Sequence, residues 1–183
     1  MTDALPAPLR DDRLEAIIAL SWLIALNKPF YPLDVWYLTG EGVLWSCLSM
    51  VAAPAYLAIA LLGRKHSLAA RIAFPLVALA DTLAETKLFG ATSATELFLA
   101  PAALITALAF RPSEARIPRV LIVILYVALI ALHGRLGEPL FIWSDASLAH
   151  LRELNIFAVA SLTVFTVWRF SNCKDMTPNA SQT

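Results

Sequence analysis

Charge is what this chain has least of. Only 15% of its 183 residues are Asp, Glu, Lys or Arg, where a soluble domain carries about a quarter. Fourteen basic residues cancel fourteen acidic ones, so there is no positive surplus to collect phosphates, and nucleic acid is excluded as a partner. Cysteine is nearly absent: Cys47 and Cys173 are the only two, too few for a disulfide framework or a cysteine-based zinc site. Glycine occurs six times, always between apolar runs and never inside one, which leaves no basis for glycine-mediated helix association. P-loop, GxGxxG, GxSxG and HExxH motifs are all missing. No paired histidines stand in an apolar run to hold a haem, and no lysine stands in the middle of one to carry a Schiff base. No cofactor is expected, and no internal repeat suggests an inverted-repeat transporter.

What remains is apolar. Hydrophobic residues make up 59% of the chain and the mean hydropathy is +0.69. A membrane-spanning helix needs about 20 mostly apolar residues, and six segments qualify as candidates, at about 14–30, 43–62, 68–89, 93–110, 119–133 and 154–170. The expected fold is a single all-α polytopic membrane helix bundle of six transmembrane helices, with the lipid bilayer as its first partner. The first segment is the weakest. Asp3, Asp11 and Asp12 beside Arg10 and Arg13 make a poor signal-peptide head, and no small-residue cleavage site follows Leu26, so it reads as a retained helix. Pro54, Pro75 and Pro101 fall inside spans two, three and four and are expected to kink them.

Lys and Arg set the orientation. Arg10, Arg13, Arg64, Lys65, Arg71, Arg111, Arg116, Arg119, Arg169 and Lys174 fall on one side; Lys28, Lys87, Arg135 and Arg152 fall on the other. The positive-inside rule puts the first set, and with it both termini, in the cytoplasm. The expected location is a plasma membrane, of the bacterial inner-membrane type. Aromatic residues are expected at the headgroup level: Phe30, Tyr31, Trp36, Tyr37, Trp45, Phe89, Phe141 and Trp143 outside, and Phe110, Trp168 and Phe170 inside. Cys47 and Cys173 then lie towards opposite faces and are not expected to pair.

In this orientation the acidic residues within or bordering spans two to six lie in the outer half, and the inner half is apolar between basic rims. Asp81 and Glu85 are four residues apart and share a helix face. Lys87, two from Glu85, points elsewhere. Glu96 lies in the first turns of span four, His133 ends span five, Asn155 begins span six, and Lys28 ends span one. Lys28 or Lys87 is the candidate counter-charge for Asp81, the residue least able to reach water. Ionisable residues at such depth are costly and mark either a partner or a wet cavity. Three readings compete. Glu85, Lys87 and Glu96 are simply interfacial, with Asp81 paired to a lysine or capped by a hydroxyl such as that of Thr82; or Asp81, Glu85, Glu96, His133, Asn155 and Lys28 line an outward-facing ligand or ion pocket; or Asp81, Glu85, Glu96 and His133 ligate a divalent metal.

The loop from Gly134 to Glu153 is the longest. Ser144 or Asp145 is placed to cap a short amphipathic helix lying on the outer surface, with Leu148, Leu151 and Leu154 at helical spacing. The functional expectation is a non-enzymatic bundle that binds a small ligand or ion, acting as a sensor or as the partner subunit of another membrane protein. A small transporter or permease component is the alternative, and an intramembrane metal-dependent hydrolase the third. Reporter fusions at Gln182 and within 63–68 should both report cytoplasm, and a fusion near Asp34 should report the outside. A non-cytoplasmic signal at Gln182 would mean an odd number of spans.

Overall fold

The computed structural model describes residues 11–171 and Cys173; Arg10, Lys174 and Gln182, which bear on the orientation, lie outside that range. Helix α1 (Asp12–Asn27) starts where the Asp11 carboxylate accepts from the Leu14 amide at 3.3 Å, an N-cap that satisfies one of the donors a helix start leaves open. It gives way at Lys28–Pro29–Phe30 to a short helix, α2 (Tyr31–Thr39), bent 44° from the first. The expected outer loop around Asp34 is therefore helical. Gly40 ends α2 in the left-handed conformation, and Gly42 repeats it at φ +63°. At Gly42 the Trp143 ring occupies the space a Cβ would take, so only glycine fits there.

Proline acts differently from its expected role. After α3 (Val43–Ser46) the backbone tightens into a 3-10 segment, Cys47–Ala52, and resumes as α4 (Ala53–Gly63) with Pro54 in its first turn. A 3-10 turn at Thr95–Phe98 likewise precedes α6 (Leu99–Ala109), where Pro101 falls in the first turn. Proline in a first turn gives up no helix hydrogen bond. Pro54 and Pro101 therefore begin helices instead of kinking them, and the upstream 3-10 bonds absorb the break. Pro75 alone lies inside a helix, α5 (Ser67–Phe89).

Helix α7 (Arg116–Leu132) follows a 3-10 turn at Pro112–Glu114, and α8 runs unbroken from Asp145 to Ser171 over 27 residues. The expected separate surface helix before span six is thus corrected: those residues are the first turns of α8. Leu151, expected on the surface, is fully buried because it packs with Tyr31, Val35, Phe89 and Trp143 in a small core at one end of the bundle. Tyr31, Phe89 and Trp143 are core residues, whereas Phe30, Trp36, Tyr37 and Trp45 are exposed, as interfacial rings should be. A larger core unites Ile17 and Leu20 of α1, Tyr56 and Ile59 of α4, Phe74 of α5, Ile105 of α6 and Phe170 of α8.

All regular structure among the described residues is helical. The stretches Val43–Gly63, Ser67–Phe89 and Asp145–Ser171 are long and apolar enough to cross a membrane, and the bent α1–α2 pair makes a fourth if it counts as one span. Thr95–Ala109 is apolar but shorter, and α7 has 17 residues with Arg116 and Arg119 in its first turn. Fewer of the six expected spans thus reach full length, because Gly90, Pro112 and their neighbouring 3-10 turns cut the helices short. Leu44, Val51, Phe157 and Val164 face outwards, an apolar exterior that suits lipid better than water. Both cysteines are free thiols.

The connection from α7 to α8 folds over the end of α5. Lys87 Nζ donates to the carbonyls of Leu136 (2.9 Å) and Glu138 (2.6 Å), the Leu140 amide donates to the Lys87 carbonyl (3.0 Å), and Trp143 Nε1 donates to the Leu88 carbonyl (3.4 Å). At the start of α8 the Ser144 hydroxyl accepts from the Ser147 amide, the expected cap. Glu41, between α2 and α3, accepts from the Ser144 amide at 3.0 Å and from the Ser147 hydroxyl. These bonds to its charged form, first that from the Ser147 hydroxyl and then those from Ser144, hold the Glu41 carboxyl below its ordinary value of 4.5. The sign follows. A lowered folded-state value adds stability that is present in full above the ordinary carboxylate range and is lost as pH falls through the folded value. Glu41→Ala should therefore melt below the native protein at neutral pH, and the gap should close on acidification below the ordinary range. A gap that stays constant with pH would contradict this.

Candidate functional site

The centre of the site is an ion cluster within the bundle. Lys28 follows the last turn of α1, and Asp81 and Glu85 project from one face of α5 at successive turns. Lys28 Nζ lies 2.7 Å from the Asp81 carboxylate and 2.6 Å from Glu85 Oε1. All three side chains are about nine-tenths buried. Tyr56, from α4, donates its hydroxyl to Asp81 Oδ2 at 3.2 Å. Burying a charge costs several kcal/mol unless a partner and hydrogen bonds compensate; here one ammonium serves two carboxylates, and the bend after α1 brings it there.

A cavity of about 460 Å3 lies beside this cluster, within the range of roughly 300–1,000 Å3 usual for small-molecule sites. Each wall is one helix stripe. Leu23, Ile24, Asn27 and Lys28 come from α1 and the turn after it; Phe74, Ala78, Asp81, Thr82 and Glu85 from α5; Phe98, Ala102 and Ile105 from α6 and the turn before it. Helix α8 contributes Leu154, Phe157, Ala158, Ser161, Leu162 and Phe165, while Tyr31 and Asp34 of α2 and Tyr56 of α4 complete the lining. Lining residues Leu23 (40% exposed) and Phe157 (72% exposed) face outwards, as do Asn27, Asp34 and Ser161, so the cavity is open on the side of α1, α2 and α8. The lining is polar at the Lys28 end and apolar at the other.

Asn155 stands behind this end. It is fully buried inside α8, not at a helix start as expected; its carbonyl oxygen accepts from the Tyr31 hydroxyl at 3.0 Å and its amide donates to the Ser93 carbonyl at 2.8 Å. It thus fixes Tyr31 without lining the cavity. Glu96 and His133 are elsewhere. Glu96 Oε2 meets His133 Nδ1 at 2.5 Å, with the imidazole largely exposed, in a pair that joins the turn before α6 to the end of α7. Of the six residues expected to form one pocket, the structure therefore joins Lys28, Asp81 and Glu85, sets Asn155 one contact away, and leaves Glu96 and His133 apart. Asp81 and Glu85 do not meet Glu96 and His133, and no three His, Cys, Asp or Glu side chains among the described residues form a metal-ligand group.

Sequence reasoning missed Tyr31, Tyr56, Asp34 and the α8 wall. The last was available as a signal: Leu154, Ala158, Ser161, Leu162 and Phe165 recur at helical spacing. It also missed a second ion network. Arg71, counted among the basic residues of the cytoplasmic side, is 2% exposed and pairs with Asp11 at 2.8 Å and Glu114 at 2.9 Å, while Arg111 reaches Asp11 at 2.9 Å. This network ties the start of α1 to α5 and to the turn before α7. None of its residues lines the cavity; Ile17, Ala70, Ala109 and Phe110 belong to the apolar core on that side.

Comparison with known protein families, curated proteins and solved structures finds no match to this chain. Its function has to be argued from the geometry alone.

Lys28 and Asp81 should behave unequally on substitution. Lys28→Met strands two buried carboxylates and should destabilise by roughly 3–5 kcal/mol, the usual cost of breaking a buried pair. Asp81→Asn leaves Lys28 with Glu85, one charge against one, and should cost at most about 1 kcal/mol. Thermal melts in one mild detergent check both; equal melting temperatures for Lys28→Met and the native protein would contradict the assignment.

Proposed function

We propose that this protein is a six-span bundle in a plasma membrane, with its termini in the cytoplasm. In this reading it binds a small ligand in a pocket near the outer face and serves as a sensing or partner subunit. The observation that carries the reading is the cavity of about 460 Å3 with a buried Lys28–Asp81–Glu85 cluster at one end. Convergent polar groups in an otherwise apolar cavity are the usual form of a small-molecule site. The orientation rests on the positive-inside bias, which puts the Lys28 end outside and the Arg71 end inside. Counting six spans takes α1–α2 as one broken span and accepts Thr95–Ala109 and α7 as short ones, accommodated by local thinning of the bilayer.

The apolar core between the cavity and the Arg71 network supports a closed pocket over a transport path. A transporter needs polar groups continuing to the other side. A hydrolase reading has no ligand set to rest on, since Glu96 and His133 stand away from Asp81 and Glu85.

Ala158 lines the cavity on α8, so Ala158→Trp fills it without touching a charge. Native protein purified in mild detergent should release a bound small molecule into organic extract, identifiable by mass spectrometry. The same species should be missing from the Ala158→Trp extract while the melting temperature stays close to native. Identical extracts from the two proteins would refute the pocket.

A further inference from the structure

We propose that the cavity takes a protonated amine carrying an apolar tail, which enters sideways between α1 and α8. This rests on the pocket reading and gives it a ligand class. The first argument is charge. The ionisable groups lining the cavity are Lys28, Asp34, Asp81 and Glu85, three carboxylates against one ammonium. Lys28 already spans Asp81 and Glu85. The Asp34 side chain is exposed and has no hydrogen bond or ion pair among the described residues. A further cation is therefore attracted, and an anionic head is repelled.

The second argument is the inventory of donors and acceptors. The phenolic donors are engaged, Tyr31 on Asn155 and Tyr56 on Asp81, and so is the Lys28 ammonium. Carboxylate oxygens of Glu85 and Asp34 are left as acceptors. A protonated amine brings N–H donors to these carboxylate oxygens, which a carboxylate or phosphate does not; the Asn27 amide and the Thr82 and Ser161 hydroxyls are the other polar groups of the lining.

The third argument is shape. Away from the charges the lining is apolar, with Phe74, Ile105 and Phe165 at that end. The outward-facing Leu23 and Phe157 open the wall between α1 and α8 to the apolar exterior of the bundle. A hydrocarbon tail fits such a wall, and burying it gains about 0.8 kcal/mol per methylene.

Dodecylamine at neutral pH is a direct probe. Protein in phosphatidylcholine nanodiscs should bind radiolabelled dodecylamine saturably over empty discs, and unlabelled dodecylamine should compete at least tenfold better than dodecanol or laurate. Asp34→Asn should weaken binding roughly tenfold, the effect of losing one nearby charge. Ala158→Trp should abolish it, with native melting temperatures for both variants. If dodecanol or laurate competes equally well at a site that Ala158→Trp closes, or if Asp34→Asn changes nothing, the amine class is overturned and the pocket stands. Dodecylamine binding that Ala158→Trp leaves intact overturns the placement in this cavity. No saturable binding of any of the three chains overturns both the ligand class and the pocket.

Discussion

Lys28 reaches two carboxylates at once, and the architecture of one end of the bundle depends on that contact. The ammonium sits between Asp81 and Glu85 at 2.7 and 2.6 Å, in a setting where each of the three charges alone would be prohibitively costly. To bring it there α1 has to stop at Asn27, and the chain turns through Pro29 into α2 with a bend of 44°. That bend lays α2 across the end of the bundle. Tyr31 then meets Asn155 and Phe89, and Val35 meets the core around Trp143. The cavity lies beside this cluster, lined by α1 and α8 among other elements, with the aromatic core around Trp143 at the same end of the bundle.

A second charged knot works at the opposite end. Arg71 joins Asp11 and Glu114, and Arg111 joins Asp11. Helix α5 carries residues of both clusters, Arg71 near its start and Asp81 and Glu85 towards its end, and packs Phe74 and Ala78 between them. The two clusters differ in balance. Arg71 and Arg111 face Asp11 and Glu114 two against two, which suits a purely structural tie. The Lys28 cluster has one cation for two carboxylates, with Asp34 nearby as a third. An unbalanced cluster beside an open cavity is where a ligand can add what the protein withholds, and that contrast is the reason for proposing a binding site at this end.

Much of the helical content was legible from residues. The apolar runs at 43–62 and 68–89 match Val43–Gly63 and Ser67–Phe89 within a residue, because Gly63 and Gly90 stop the helices where glycine is expected to. The i, i+4 spacing of Asp81 and Glu85 correctly put them on one face. Their counter-ion was not legible as a choice between Lys28 and Lys87, since it depends on how closely α1 approaches α5; Lys87 is instead consumed by the carbonyls of Leu136 and Glu138. Glu96 and His133 shared a rim with Asp81 in a one-dimensional reading, yet depth along a span says nothing about position around the bundle. Arg71 was counted with the basic residues of the cytoplasmic side, and only the tertiary approach of Asp11 and Glu114 explains its burial. The surface helix before span six failed for another reason: Leu148, Leu151 and Leu154 carry the same period into α8, and no glycine or proline interrupts them.

The buried charges at Lys28, Asp81 and Glu85 form one interdependent unit. The most direct measurement is the unfolding free energy of the triple variant Lys28→Met, Asp81→Asn, Glu85→Gln beside that of Lys28→Met alone. Removing all three charges together leaves nothing stranded, so the triple variant should recover most of the stability that the single change loses. A triple variant as unstable as Lys28→Met, or losses that simply add, would mean that the three residues act independently and that the cluster does not hold this end of the bundle together.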